Sequence, residues 1–312
     1  MERKKQNPVQ SGLPQAVVIL GCGFVGTVLA RELMRAGVRV GALTRNPAKA
    51  AELRAMGLDE VVEAELDDSS WHERLTLPYA AAVNCVSSAG GGLEGYRKSY
   101  LEGQSSVLRW AEGRGLRTFI YTSSTSVYPQ DGGVLVDETA PTEDAPDTGA
   151  VVRESEARII ASAHHFEQWF ILRLCGIYGP GRHYLLDQLR SGVEILPGRG
   201  DYHLNTIYSE DIARALLRVL EYGTPDKSGI YNLSDGNPAW KSTVLKWLAG
   251  QLGRDPPRFD PDKASPRLQR RGGRMPDRKI SNAKFRDTFQ WSPAYPDYRA
   301  GYCAIIQKEN PG

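Results

Sequence analysis

The most constraining feature of the sequence is a glycine cluster, Gly21, Gly23 and Gly26, which lies between an apolar run and an amphipathic segment. The run Ala16–Leu20 is continuously apolar, as expected of a parallel strand that is buried on both faces. Residues 24–36 carry an apolar stripe at helical spacing, and a glycine follows them. The sequence therefore predicts a strand, a tight glycine turn and a helix in direct succession.

Strand and helix patterns then alternate along the chain. Apolar runs predict strands at residues 38–43, 61–64, 80–86, 118–122 and 169–174, and amphipathic segments predict helices at 47–56, 96–114, 151–164, 210–221 and 243–252. Strands separated by long helical segments favour right-handed crossovers and a parallel sheet that is covered on both faces.

We predict an α/β fold, a Rossmann-type doubly wound parallel sheet with a smaller C-terminal α/β substrate domain. The Rossmann domain spans residues 14–172 and is completed by about 204–232, and the smaller substrate-binding region comprises 173–203 and 233–312. Residues 130–150 are acidic and show no helical period, which predicts a surface loop. Residues 253–279 are rich in proline, arginine and aspartate, which predicts an extended excursion with little regular structure.

Composition and charge exclude several classes of protein. The chain carries 39 basic and 37 acidic residues, a formal charge of +2, which is too small for a surface devoted to nucleic acid. The four cysteines lack metal-finger spacing, and His164 and His165 are adjacent, so we predict reduced thiols and no metal site. Residues 1–15 are polar and lack the apolar core of a signal peptide, and the apolar runs are far shorter than the roughly 20 residues that span a bilayer, so we expect neither export nor a transmembrane helix. We predict a cytoplasmic protein with a small-molecule substrate and no nucleic-acid or membrane partner.

The glycine motif has the G-x-G-x-x-G spacing of a dinucleotide-binding turn and lies where such a turn must lie. Gly21 permits the tight turn, Gly23 lets a pyrophosphate approach the backbone, and Gly26 allows close packing of helix against strand. The pyrophosphate would rest on the positive end of the helix. The alternative is a glycine-rich turn that binds no ligand. The predicted cofactor-binding residues are Gly21, Gly23, Phe24, Val25, Gly26, Thr44, Arg45, Val86, Ser87 and Ser123.

The end of the second predicted strand bears on the choice of cofactor. A protein selective for NAD usually places an acidic residue there to accept hydrogen bonds from the ribose hydroxyls. This chain has Thr44 and Arg45 instead. Because an arginine can hold a 2′-phosphate by charge-assisted hydrogen bonds, we predict NADP as the cofactor, with NAD as the alternative. If Arg45 is simply a solvated arginine, the preference stays open.

Four further stretches accompany the glycine motif, in a fixed order: TFIYTSSTSVYP (118–129), ILRLCGIYGPG (171–181), LNTIYSEDIARALLRVLE (204–221) and GIYNLSDGNP (229–238). Together they resemble the extended short-chain dehydrogenase/reductase family, which includes nucleotide-sugar epimerases and dehydratases. The resemblance covers about residues 15–250. It implies an NAD(P)-binding protein of the epimerase/dehydratase type that acts on a small polar substrate.

The resemblance fails at the residues that transfer protons in that family. There a tyrosine moves the proton, a lysine four residues later supports it, and a serine on the preceding strand orients the substrate; Ser124 matches this serine. Laying TGAVVRESE over the family pattern places Thr148 at the tyrosine, Val152 at the lysine and Glu156 at a later glutamate. A valine carries no charge, and a threonine hydroxyl is too weak an acid near neutral pH. The chain therefore resembles an atypical member of the family.

Other residues must then handle any proton and hold the substrate. Ser124 and Tyr128 are the predicted catalytic residues, although a tyrosine in this position is also consistent with packing. Ser124, Tyr178, Arg182 and Asn205 are the predicted substrate-binding residues, because relatives face their substrate after the YGPG turn. A basic run is either a clamp on an anionic ligand or a solvated loop that balances the acidic residues 137–147; it comprises Arg267, Arg270, Arg271, Arg274, Arg278 and Lys279.

Two functional hypotheses follow. The first is an oxidoreductase or epimerase-like enzyme that uses NADP and non-standard acid/base residues. The second is a catalytically inactive regulatory protein that senses the NADP(H) state. The resemblance also implies a homodimer formed through the helices predicted at 96–114 and 151–164.

Overall fold

The computed structural model describes residues 12–88, 90, 92–263 and 275–309. At its centre lies a seven-stranded parallel sheet of β1 (Ala16–Leu20), β2 (Arg39–Thr44), β3 (Glu60–Glu63), β4 (Ala81–Asn84), β5 (Thr118–Ser124) and the strands Gln168–Leu174 and Gly229–Leu233. From the first edge to the last, the order is Gly229–Leu233, Gln168–Leu174, β5, β4, β1, β2 and β3. The strand order reverses between β1 and β4, which is the switch point at which doubly wound sheets bind ligands. The predicted fold class is confirmed.

Helices cover both faces of this sheet. They are α1 (Phe24–Arg35), α2 (Pro47–Ala55), α3 (Gly92–Arg97), α4 (Gly103–Ala111), α5 (Asp147–Ala161) and, further along, Ser209–Tyr222 and Ala283–Phe289. The helices Tyr184–Arg190, Lys241–Gln251 and Tyr298–Glu309 belong to the C-terminal part of the chain. A π-helical turn, Lys98–Glu102, joins α3 to α4, so the helix predicted at 96–114 begins earlier and is wider in the middle. None of the described helices combines the length and apolar character needed to cross a membrane.

Alternate residues of β1 supply two cores, because successive side chains of a strand point to opposite faces. On one face Ile19 packs in a cluster with Leu29 of α1. On the other face Leu20 packs in a cluster with Trp110 of α4. These side chains are almost wholly excluded from solvent, so β1 is anchored from both sides and holds the glycine turn at its end in place.

The C-terminal part of the chain has a hydrophobic core of its own. Leu186, Leu248 and Ile305 are buried there among tyrosines that include Tyr178 and Tyr302. Short strand pairs surround this core: Gly176–Tyr178 with Thr206–Tyr208, Ile195–Pro197 with Arg258–Asp260, and His203–Leu204 with Ala239–Trp240.

Two segments that the sequence assigns to loops contain regular structure. Val134–Val136 forms a strand that pairs in parallel with Arg278–Ile280, and α5 begins at Asp147 rather than after residue 150. The prediction of a surface loop at 130–150 is therefore wrong at Val134–Val136 and at the start of α5. The strand was missed because its pairing partner is distant in sequence and no local pattern reveals it. Of the basic run, Arg267, Arg270, Arg271 and Arg274 lie outside the described residues.

Candidate functional site

The glycine turn after β1 is held so tightly that two of its glycines have no room for a side chain. Gly21 has a φ of 72°, and a Cβ on it would lie 2.7 Å from the Cα of Val86. A Cβ on Gly26 would lie 2.9 Å from Ile19 Cγ2. A Cβ on Gly23 would lie 3.9 Å from the nearest atom, so this position of the turn faces open space. This is the geometry a pyrophosphate needs to reach the start of α1.

A cleft of about 180 Å³ opens beside this turn, where β1, β2, β3 and β4 end. Six of the predicted cofactor-binding residues line it: Gly21, Gly23, Thr44, Arg45, Val86 and Ser87. The sequence analysis missed Leu43, Asn46, Lys49, Ala64, Glu65, Leu66, Asp67, Lys98 and Ser99, which also line it. Glu65 and Asp67 follow β3 in the sequence, and this position after a strand could have indicated that they line the cleft.

The charged residues of the cleft include more cations than carboxylates. Arg45 lies 3.9 Å from Glu65, and Lys98 lies 3.9 Å from Glu65 and 3.8 Å from Asp67. Lys49 adds a third cation, which pairs with a carboxylate of its own helix outside the cleft lining. Because these ion pairs are partly exposed, each contributes little to stability. Their cations therefore stay available to an anionic ligand.

The remaining predicted cofactor residues have other surroundings. Val25 and Gly26 are buried in the contact between α1 and the sheet, and Phe24 is half-buried. Ser123 is also buried, and its hydroxyl donates a 2.5 Å hydrogen bond to Glu156 Oε1.

Thr148 and Val152 are the residues predicted at the tyrosine and lysine positions, and neither side chain can replace that chemistry. Val152 is fully buried in the core, and Thr148 is half-buried in the first turn of α5. Gly149 presses against the Ser126 carbonyl and leaves no space for a Cβ. The start of α5 is therefore packed against the segment after β5.

Tyr128 belongs to a buried polar network beneath this segment. Its hydroxyl donates to Asn232 Oδ1 at 2.8 Å and accepts from Arg173 Nη1 at 2.9 Å. Arg173 in turn forms a two-pronged ion pair with Glu156, whose carboxylate also accepts from Ser123. Burial raises the pKa of Tyr128, and the residue is 1% exposed. This environment favours the packing interpretation over a proton-transfer role.

Ser124 lies at the end of β5, half-buried, and its Oγ accepts a 3.1 Å hydrogen bond from the Ser126 backbone N–H. The hydroxyl proton is not used in this contact and can still be donated to a substrate oxygen.

The predicted substrate-binding residues Tyr178, Asn205 and Arg182 have different surroundings. Tyr178 is 5% exposed and packs between Tyr208 and Tyr302, where burial raises its pKa. The Asn205 side chain donates to the Arg278 carbonyl and accepts from the Ile280 N–H, so it fixes a strand. Arg182 is exposed and lies over the Phe24 ring, 5.5 Å from its centre, beside the cofactor turn.

Asp235 is a buried carboxyl group in the turn after the strand Gly229–Leu233. Thr206 Oγ1 donates to its Oδ2 at 2.7 Å, and the Asn237 N–H donates to its Oδ1 at 2.9 Å. Burial raises the pKa of Asp235 from 3.8 to about 7, because these neutral donors only partly replace the lost water.

We expect Asp235→Asn to change how stability depends on pH. Because the folded-state pKa lies above the unfolded value, the folded protein binds the proton more tightly, and this stabilisation is lost as pH rises from about 4 to about 7. The variant has no such proton, so its unfolding free energy relative to wild type should increase across this window and stay level above it. Urea unfolding at several pH values measures the difference; a difference that does not vary with pH would contradict the expectation.

A parallel sheet with a glycine turn at its switch point, a helix end open to anions and a cleft lined by cations defines a dinucleotide-binding protein of the Rossmann type. A model of the NAD dependent epimerase/dehydratase family matches residues 17–234. The chain belongs to this family. A search of curated proteins gave no match.

Solved structures share the fold over almost the whole chain. One is a putative NAD-dependent epimerase/dehydratase from Methylobacillus flagellatus, with 27% identity, a TM-score of 0.72 and coverage of 96% of this chain and 99% of that one. A Thermus thermophilus UDP-glucose 4-epimerase in complex with NAD has 19% identity, a TM-score of 0.79 and coverage of 94% and 98%. A Thermotoga maritima UDP-glucose 4-epimerase with UDP-glucose has 19% identity, a TM-score of 0.80 and coverage of 94% and 99%.

Proposed function

We propose that this protein binds NADP(H) in the cleft beside the glycine turn and uses it in oxidoreductase or epimerase-like chemistry on a small polar, nucleotide-sugar-like substrate. The observation that carries the proposal is the open side of Gly23 at the start of α1, next to a strand end that offers Thr44 and Arg45 in place of an acidic residue. NAD, which the Thermus relative binds, is the alternative cofactor.

The residues of the cleft fit such a cofactor. Gly21 and Gly23 would hold the pyrophosphate, and Arg45 would hold the 2′-phosphate. Val86 and Ser87, which follow β4, would line one side of the bound cofactor. The bound nicotinamide supplies hydride transfer. Ser124, with its free hydroxyl proton, would orient a substrate oxygen at the end of β5.

The second candidate is a protein that senses the NADP(H) state without turnover. The buried Val152 and the buried network around Tyr128 favour it, because neither side chain is open to a substrate. Oxidation of NADPH or reduction of NADP⁺ in the presence of a sugar nucleotide would support the enzyme over the sensor. The cytoplasmic location and the homodimer stay predictions.

We expect Gly23→Ala to abolish most dinucleotide binding while the fold is kept. The new methyl group meets no protein atom closer than 3.9 Å, but it occupies the path by which the pyrophosphate reaches the backbone. Calorimetry should show NADPH and NADH both bound at least about 10-fold more weakly, the equivalent of roughly 1.4 kcal/mol. Gly250→Ala is the matched control, because its Cβ also meets no atom within 4 Å. Undiminished binding by Gly23→Ala would exclude this turn as the cofactor site.

A further inference from the structure

A second group of reactive side chains lies outside the cofactor cleft. His203 Nδ1 is 2.7 Å from Asp277 Oδ1, and the same oxygen accepts a 2.8 Å hydrogen bond from the His203 backbone N–H. The carboxylate therefore favours the tautomer with the proton on Nδ1, in which Nε2 is a lone-pair acceptor. A histidine oriented in this way by a carboxylate is prepared to act as a base.

The imidazole is enclosed, yet its outer nitrogen has no hydrogen-bond partner among the residues that the structure describes. Only 10% of the His203 side chain is exposed, and Nε2 makes no hydrogen bond within the described ranges. The ring stacks on Trp240, with 4.2 Å between ring centres, and Trp240 is itself 42% exposed. An accessible indole next to an unpaired nitrogen suits a hydroxylated ring, because its C–H face can pack on the indole while a hydroxyl donates to Nε2.

Backbone contacts tie this pair to the end of β5. Arg278, which follows Asp277, donates to the carbonyl oxygens of Thr125 at 2.9 Å and Tyr128 at 2.6 Å. The Asp277 N–H donates to Asp131 Oδ1 at 2.6 Å. These acceptors belong to the segment that starts directly after Ser124. The pair therefore lies on the carboxyl-end side of the parallel sheet, where α/β folds bind their substrates.

We propose that His203, oriented by Asp277, accepts and returns the substrate proton, and that Trp240 supports the ring of a hydroxylated, sugar-like substrate. The proposal rests on the proposed function, for which it supplies the base that Thr148 and Val152 cannot provide. When the alcohol is oxidised, its C–H bond breaks and the hydride passes to NADP⁺. The O–H bond also breaks, its proton moves to Nε2, and a carbonyl remains. In the reverse reaction the hydride returns to the carbonyl carbon and the proton returns to its oxygen.

The test uses the full chain loaded with NADP⁺, with UDP-glucose as the probe because a relative of the same fold was solved with it. Calorimetry should show that wild type binds the probe and that His203→Phe, which keeps a ring on Trp240, binds it about 10-fold more weakly. His203→Gln should recover part of the affinity, since its amide oxygen accepts a hydrogen bond. His164→Phe, which alters an exposed histidine, is the matched control.

Chemical modification tests whether the His203 imidazole is reactive and lies at the substrate site. Diethyl pyrocarbonate acylates unprotonated imidazole, so it should modify one more histidine in wild type than in His203→Phe, and UDP-glucose should slow that extra reaction. A purely structural histidine would show neither effect.

Each outcome separates the proposal from the proposed function, because the melting temperature and NADPH binding are measured for every variant. Equal affinity of wild type and His203→Phe for UDP-glucose would remove His203 from the site, and no binding by wild type would exclude the sugar ring as ligand. If instead NADPH does not bind while the probe binds through His203, the cofactor assignment fails and the His203 site is retained as a ligand site.

Discussion

Arg173→Met is expected to lower the free energy of unfolding by about 3–5 kcal/mol, the usual effect of removing one partner of a buried ion pair. The Arg173 and Glu156 side chains are 5% and 3% exposed. Without the guanidinium, Glu156 keeps a buried charge whose remaining donor, within the described part of the chain, is the Ser123 hydroxyl, and the Tyr128 hydroxyl loses a donor. Urea unfolding monitored by tryptophan fluorescence would measure the change.

Two further variants test the reason for this loss. Arg31→Met removes an arginine from an exposed ion pair, with side chains 51% and 41% exposed, and should cost no more than about 1 kcal/mol. The double variant Arg173→Met/Glu156→Met should be more stable than Arg173→Met alone, because no uncompensated charge remains buried. If the double variant is the less stable of the two, packing rather than charge accounts for the loss.

Arg45→Ala is expected to weaken NADPH binding about 10- to 100-fold, since a hydrogen bond to a charged group contributes about 1.5–3 kcal/mol. NADH lacks the 2′-phosphate, so its affinity should change little. The side chain of Arg45 is 43% exposed and lies 3.9 Å from Glu65, a distance at which a phosphate can readily compete. Calorimetric titration with both dinucleotides gives the ratio directly.

The control for this experiment is Arg35→Ala, which removes the same charge from the far end of α1, where Arg35 pairs with Glu32. It should leave both affinities almost unchanged. Equal losses of NADPH and NADH binding in Arg45→Ala would overturn the preference for NADP and favour NAD, the cofactor in the Thermus relative.

The sequence by itself determined those elements whose conformation depends on residues adjacent along the chain. The apolar run of β1, the glycine turn and the stripe of α1 are local patterns, and each follows from the conformation that a few adjacent residues can adopt. The prediction that Thr148 and Val152 stand at the family's tyrosine and lysine positions also comes from the sequence alone, because it depends on spacing within one helix.

Only the tertiary structure decided which residues that are far apart in the sequence come into contact. Lys98, at the start of the π-helical turn, lies 3.9 Å from Glu65 and 3.8 Å from Asp67, although more than 30 residues separate them in sequence. No pattern along the chain pairs Tyr128 with Asn232 or His203 with Asp277. The reason is physical: side-chain chemistry and periodicity act within a few residues, whereas these contacts form only when the sheet order and crossovers bring distant segments to the same edge.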